Sequence, residues 1–186
     1  MVSSKISHHE PICQGTPILL GCTLALTLAL TALGRGRMKE VLVIDTGENL
    51  CGVYAVADRQ YTPYRGAQIA AAIARIQRAA VVVTYNGKRF DFVMLGRYCG
   101  LENDELLTID GEHVDMREVC WSDRIFGSSL ANTYLRHFDE LPPFEDSHEG
   151  SNRLDCELTC ALYELWKQGK LLVIDGHEVR GLGVEP

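Results

Sequence analysis

A chain of 186 residues with 46% hydrophobic content is long enough to bury one sizeable core and reads as a single domain. Its 18 basic and 25 acidic residues give a formal charge of −7, which argues against a broad basic face for non-specific phosphate binding. A nuclease is not excluded, because divalent cations can cancel clustered carboxylates locally.

Residues 1–37 differ in character from the rest of the chain. Residues 17–34, PILLGCTLALTLALTALG, form an apolar run at the short end for crossing a bilayer. Lys5 lies before the run and Arg35, Arg37 and Lys39 after it, the reverse of a signal peptide's charge layout, so cleavage is not expected. Two readings stand. Translation starts at Met38, since MKEVLVID is a natural opening strand, or the run is a membrane anchor with the following domain held in the cytoplasm. In both, the folded domain is 38–186, with a cytoplasmic location expected.

From Met38 strands and helices alternate. Residues 41–45 form a compact apolar strand, 50–57 a second, and 59–64 a weak edge strand ending near Pro63. Residues 66–79 place Ile69, Ala72, Ile73 and Ile76 on one helical face. Val81, Val82 and Val83 read as a strand buried on both faces. Asn86-Gly87 ends it, and Phe90, Val93 and Met94 start a helix by their i, i+3, i+4 spacing. Residues 101–121 are ambiguous, with a short helix around 115–119. Residues 128–138 are helical, capped by Ser128 or Ser129. Residues 144–150 form an acidic loop, and Leu154, Leu158, Ala161 and Leu165 mark a last helix over 153–167. Residues 171–174 and 179–184 predict a hairpin across Asp175-Gly176. The fold class is α/β, a mixed β-sheet flanked by helices with a C-terminal β-hairpin. The seven cysteines are odd in number and lack paired CxxC spacing, so they read as reduced, mostly buried thiols of an intracellular protein. Cys156 and Cys160, one helical turn apart, read as core packing ahead of a metal pair.

The chemistry sits on acidic residues at element ends. Asp45 closes the first strand and Glu48 comes three residues later. Asp91 stands after the central strand's turn, at the end of an open α/β sheet where ligands bind. Asp155 lies in the expected first turn of the last helix. Carboxylates gathered from distant segments repel one another unless a cation fills the gap, and such oxygen-rich clusters suit Mg²⁺ or Mn²⁺. A pair of ions can activate water on one side and stabilise a leaving oxygen on the other, which is phosphodiester hydrolysis. Ordinary structural roles compete at each position: turn chemistry for Asp45, helix capping for Asp91, and dipole compensation for Asp155 with Asn152 as cap.

Residues 41–48 (VLVIDTGE), 83–95 (VTYNGKRFDFVML) and 151–171 (SNRLDCELTCALYELWKQGKL) resemble the three motifs of the ribonuclease-H-like 3′–5′ exonucleases of the four-carboxylate (DEDD) superfamily. The resemblance is to the branch of predicted exonucleases also called RNase-H-like helicase-associated, and it covers residues 41–184, including FGSSL at 126–130. It implies Asp45, Glu48, Asp91 and Asp155 as ligands of two Mg²⁺ or Mn²⁺ ions. It also implies a nucleic-acid 3′ end as substrate, and a helicase as a candidate partner. Asn86 would shape the turn beneath the site. On their own residue types, Lys88 and Arg89 read either as phosphate contacts or, more commonly for paired basic residues at a turn, as solvated side chains. Tyr85 and Phe92 read as base-stacking candidates, with core packing the stronger reading for Phe92.

Two departures stand out. The family's first motif is Asp-x-Glu, whereas here Asp45 and Glu48 are three apart and face opposite sides of a regular strand unless Gly47 forms a bulge. The family's general base, a Tyr four or a His five residues before the last Asp, is replaced by Ser151 and Gly150, leaving His148 in the nearby loop as the candidate base. These departures sustain a second expectation, a catalytically impaired module of the same fold that binds nucleic acid. A third reading, Asp45-Thr46-Gly47 as an aspartic-protease triplet, conflicts with the two amphipathic helices.

Overall fold

The computed structural model describes residues 40–102, 105–121, 128–140, 142–175 and 178–181, all within the unit Arg37–Pro186. The apolar run at 17–34 lies outside the described residues, among which no helix is long and apolar enough to cross a membrane.

Alternation along the first strand sets the layering. Strand β1 (Val41–Gly47) turns through Glu48 and Asn49 into β2 (Leu50–Ala55), with Asn49 at φ 59°. Strand β3 (Gln60–Arg65) pairs antiparallel with β2 at the sheet edge, where Pro63 is tolerated. A 3₁₀ turn and helix α1 (Ile69–Arg78) carry the chain back to β4 (Val81–Thr84), parallel to β1. A parallel neighbour requires such a crossover. Helix α2 (Asp91–Tyr98) leads to β5 (Glu112–Asp115), parallel to β4, completing a five-stranded sheet ordered β3-β2-β1-β4-β5. Helices α3 (Met116–Cys120), α4 (Leu130–Phe138) and α5 (His148–Lys167) come next, then an antiparallel hairpin of β6 (Leu172–Asp175) and β7 (Glu178–Gly181).

The sheet is covered on both faces. Leu42, Ile44, Val53 and Val82 pack with Ile69, Ala72, Ile73 and Ile76 of α1 and with Phe92 and Leu95 of α2. Val43, Tyr54 and Val83 point the other way, onto Met116, Cys156, Cys160 and Leu162. This is the α/β layering that the strand and helix periodicities predict, and the buried stripe of α1 is the expected one. Cys156 and Cys160 are core residues, and of the described cysteines only Cys99 is exposed.

Three expectations are corrected. Strand β5 is not visible in the sequence, because Glu-His-Val-Asp holds one aliphatic residue and owes its extended form to pairing with β4. The last helix starts at His148, five residues earlier than 153, because Ser147 Oγ accepts from the Gly150 amide and caps it. Asn152 is therefore not a cap, Asp155 is not in the first turn, and residues 148–150 are helix rather than loop. The buried stripe of α5 runs through Asn152, Cys156, Leu158, Thr159, Cys160, Leu162 and Tyr163; of the four residues expected to mark it, Leu158 is buried, while Leu154, Ala161 and Leu165 are half-buried. The tip of the C-terminal hairpin (176–177) and residues 182–184 lie outside the described residues.

Candidate functional site

Strands β1 and β4 pair in register only from Val41↔Val81 to Val43↔Val83. Beyond that point β1 continues against β2, while β4 turns off at Asn86, which takes φ 66° and donates its N–H to Asp115 Oδ1 at 2.7 Å. The edge of β1 that faces β4 is thereby uncovered. Asp91 fills it: Oδ1 accepts both the Thr46 N–H and the Thr46 hydroxyl, each at 2.8 Å. Asp91 is only 3% exposed, at the start of α2. A cleft of about 380 Å³ opens where the strands part, lined by Asp45, Asp91, Asn86, Tyr85, Phe90 and Arg117 among others. Ligands in open α/β sheets bind at such carboxyl ends.

Helix α5 approaches from the opposite layer. Its residues 148, 152 and 155 have i, i+4, i+7 spacing and so share one face. Asn152 Nδ2 donates to Asp45 Oδ2 at 2.6 Å and to the Asp45 carbonyl at 3.0 Å, while Asn152 Oδ1 accepts from the Tyr61 hydroxyl at 2.7 Å. Two glycines make room for this face. A Cβ at Gly52, the register partner of Asp45, would lie 1.9 Å from Asn152 Oδ1, and one at Gly47 would lie 2.5 Å from His148 Nε2. Asn152 escapes sequence reasoning as a site residue. Its signal is spacing alone, midway between His148 and Asp155 on one helical face.

The carboxylates act on each other. Asp45 is pushed up to about 8, first by burial and then by the charges of Asp91 and Asp155, with relief from the Asn152 amide. Asp91 is raised to about 6 by burial, opposed by its two bonds from Thr46 and reinforced by Asp115. Burial also raises Asp155. The cluster therefore retains a proton into the neutral range unless a cation displaces it. Folding takes up protons here that an unfolded chain releases near pH 4. The stability from Asp45 is fully present below that pH and is lost as the pH rises through about 8. In EDTA, Tm is expected to drop between pH 5 and pH 8 by roughly 5 °C more in the parent than in Asp45→Asn, read by differential scanning calorimetry. Equal slopes in the two proteins would remove the buried charge from the account.

The other sequence-predicted residues divide. Asp155 acts electrostatically on Asp45 but does not line the cleft. Glu48 stands apart: the β1–β2 register is unbroken from Leu42↔Ala55 to Gly47↔Leu50, so the bulge that would turn Glu48 inward is absent, and Glu48 is exposed in the hairpin turn. His148 packs its ring over Gly47. Tyr85 lines the cleft, but its hydroxyl is bound to the Ser128 carbonyl and to Thr133 Oγ1. Lys88 pairs with Glu118 at 2.6 Å on the surface, and Arg89 is exposed; neither lines the cleft. Phe92 is core.

Carboxylate oxygens are the donor type that a hard divalent cation takes. Asp45, Asp91 and Asp155 offer hard oxygens and come from three segments, and the charges of Asp91 and Asp155 make that of Asp45 unfavourable. Among the described residues no three His, Cys, Asp or Glu side chains are grouped so as to hold a metal ion. A mixed sheet with acidic side chains at the carboxyl ends of its central strands defines a ribonuclease-H-like domain. Residues 44–139, just over half of the chain, match the sequence profile of the RNase H superfamily, and the chain belongs to that superfamily. The matched stretch takes in Asp45, Glu48 and Asp91 and ends before α5. A comparison with curated proteins gave no match.

Proposed function

We propose that this protein is a metal-dependent nuclease that removes nucleotides from the 3′ end of a nucleic-acid strand. The observation that carries the reading is that Asp45 and Asp91, from two segments, line one cleft at the open end of the sheet, with Asp155 of α5 near enough to raise Asp45. Superfamily membership supports a nucleic-acid substrate, and the motif resemblance supplies the 3′–5′ polarity and a helicase as the implied partner. Asp45, Asp91 and Asp155 would hold Mg²⁺ or Mn²⁺, which when bound supplies positive charge to the reacting phosphate and acidifies a water. Thr46 fixes the Asp91 carboxylate and Asn152 fixes that of Asp45, so each arrives oriented. Arg117, anchored on Ser128 Oγ at 2.8 Å, puts a positive charge on the cleft wall where a substrate phosphate would lie. His148 stands at the strand end as the candidate proton acceptor for the attacking water.

One observation favours a second reading, binding without cutting: Glu48 stands outside the cluster, leaving it one carboxylate short of four. End-labelled oligonucleotides with Mg²⁺ or Mn²⁺ separate the two. The parent is expected to shorten a 5′-labelled strand progressively, with Asp91→Asn slower by at least ~100-fold and Glu48→Ala within about twofold. A parent that binds the oligonucleotide and leaves it intact establishes the second reading instead.

A further inference from the structure

Three adjacent strands place one row of residues beneath α5. Asp45 of β1 is in register with Gly52 of β2, and Gly52 with Pro63 of β3. Tyr61 lies two residues from Pro63 and so on the same face of the sheet, where it packs in the layer of Tyr54 and Cys156. Because Gly52 has no side chain, Tyr61 and Asn152 meet above it: a built Cβ there would stand 1.9 Å from Asn152 Oδ1 and 2.7 Å from Tyr61 Cε2. The Asn152 amide is engaged at both ends. Its Nδ2 donates to two acceptors of Asp45, the carboxylate at 2.6 Å and the carbonyl at 3.0 Å, and its Oδ1 accepts from the Tyr61 hydroxyl at 2.7 Å. Among the described residues Asn152 is the one hydrogen-bond partner of that hydroxyl. Neither Tyr61 nor Asn152 lines the cleft, so both stand behind Asp45 and not against a substrate.

We propose that Tyr61 is a positioning residue for the nuclease reaction: its hydroxyl fixes the Asn152 amide with Nδ2 toward Asp45, and that amide holds the Asp45 carboxylate at the cleft. The inference rests on the metal-dependent nuclease reading and deepens it by extending the site to the edge strand β3. The terminal torsion of an asparagine is broad, so rotamer preference does not set the amide plane and its hydrogen bonds must. The two acceptors of Asp45 hold the N–H end, which leaves Oδ1 in need of a donor at a residue only 3% exposed. Tyr61 supplies that donor. Phenylalanine at 61 would keep the ring and strand a buried acceptor, a cost that the amide relieves by rotating, and rotation takes its N–H groups off Asp45. Tyr64 of the same strand gives the contrast: its hydroxyl accepts from Arg75 Nη1 at 3.4 Å, and its ring packs in the opposite layer, with α1.

The test pairs kinetics on a 5′-labelled strand with Mg²⁺ or Mn²⁺, well below the melting temperature, with a metal-free reading of the Asn152 side-chain amide by ¹⁵N NMR, both on the full chain. Tyr61→Phe is expected to lower kcat by about 10-fold with KM within about twofold, and to speed solvent exchange of the Asn152 amide protons by at least ~10-fold. Asn152→Ala should lower kcat by a similar factor, and adding Tyr61→Phe to it should cost no more than about twofold further, since the hydroxyl acts through the amide. Tyr64→Phe should leave kcat within about twofold. A Tyr61→Phe variant that melts lower but keeps the parent's kcat has lost packing alone, which overturns the proposal. So does an equal fall in kcat for Tyr61→Phe in the parent and in Asn152→Ala. Amide exchange unchanged in Tyr61→Phe, with an active parent, removes the role of Tyr61 and leaves the nuclease reading standing. A parent that cuts nothing, with exchange faster in Tyr61→Phe, sinks the nuclease reading and leaves the clamp on Asp45 in place.

Discussion

Asp45→Asn should melt higher than the parent in EDTA at pH 8, by roughly 3–6 °C, and should lose metal-dependent cleavage by at least ~100-fold. The two halves share one cause. Asp45 is held ionised only against burial and against the charges of Asp91 and Asp155. An amide removes that cost, keeps the shape, and still offers Oδ1 to the Asn152 amide that now binds the carboxylate at 2.6 Å. Each pKa unit of unfavourable shift corresponds to about 1.4 kcal/mol, and a chain of this size gains about 2–4 °C per kcal/mol. The same substitution withdraws the oxygen that a cation would need. A gain in stability with a loss of activity is what a site strained for function gives. A melting temperature below the parent's would mean that the carboxylate is stabilised by a partner, and the electrostatic account of the cluster would fail.

The second large effect is expected at a residue with no side chain. Gly52→Ala should lower Tm by roughly 5–10 °C, because its Cβ would stand 1.9 Å from Asn152 Oδ1 and 2.7 Å from Tyr61 Cε2. Neither neighbour is free to retreat. Asn152 is 3% exposed and is held by Asp45 on one side and by the Tyr61 hydroxyl on the other. The alanine must push α5 off the sheet or break both bonds, an overpacking cost of about 1–3 kcal/mol plus the hydrogen bonds lost. Asn152→Ala in the same background removes the obstacle, so the double variant should melt higher than the additive sum of the singles by on the order of 1–2 kcal/mol. Strict additivity in that cycle would show that the glycine is not there for Asn152.

Much of the layering is legible along the chain. The run Val81-Val82-Val83, the stripe Ile69, Ala72, Ile73 and Ile76, and the turn at Asn86 each satisfy a local period or a local backbone requirement, and each lies where its pattern puts it. Local patterns fail where an element depends on its neighbour. Strand β5 has no apolar alternation of its own and exists by pairing with β4. The face that α5 buries holds Leu158, which hydrophobicity marks, but near the sheet end it is set by Asn152 seating over Gly52, so hydrophobicity points to Leu154 there and packing selects Asn152 and Cys156. Glu48 illustrates the limit most sharply: its distance from Asp45 in sequence is compatible with either direction, and only the register of β1 against β2 decides.

By itself the amino-acid order determined most of the alternation of strands and helices, and it marked Asp45 and Asp91 as acidic residues at element ends and Asp155 as an acidic residue of the last helix. Those depend on periods of two and 3.6 residues and on turn chemistry, which any short segment carries within it. The tertiary structure alone decided that Glu48 faces solvent, that Asn152 holds Asp45 across 107 residues of chain, and that His148 lies over Gly47. Contacts of that kind arise from how one surface seats on another, and no local spacing encodes the fit between a helix face and a strand so distant in sequence.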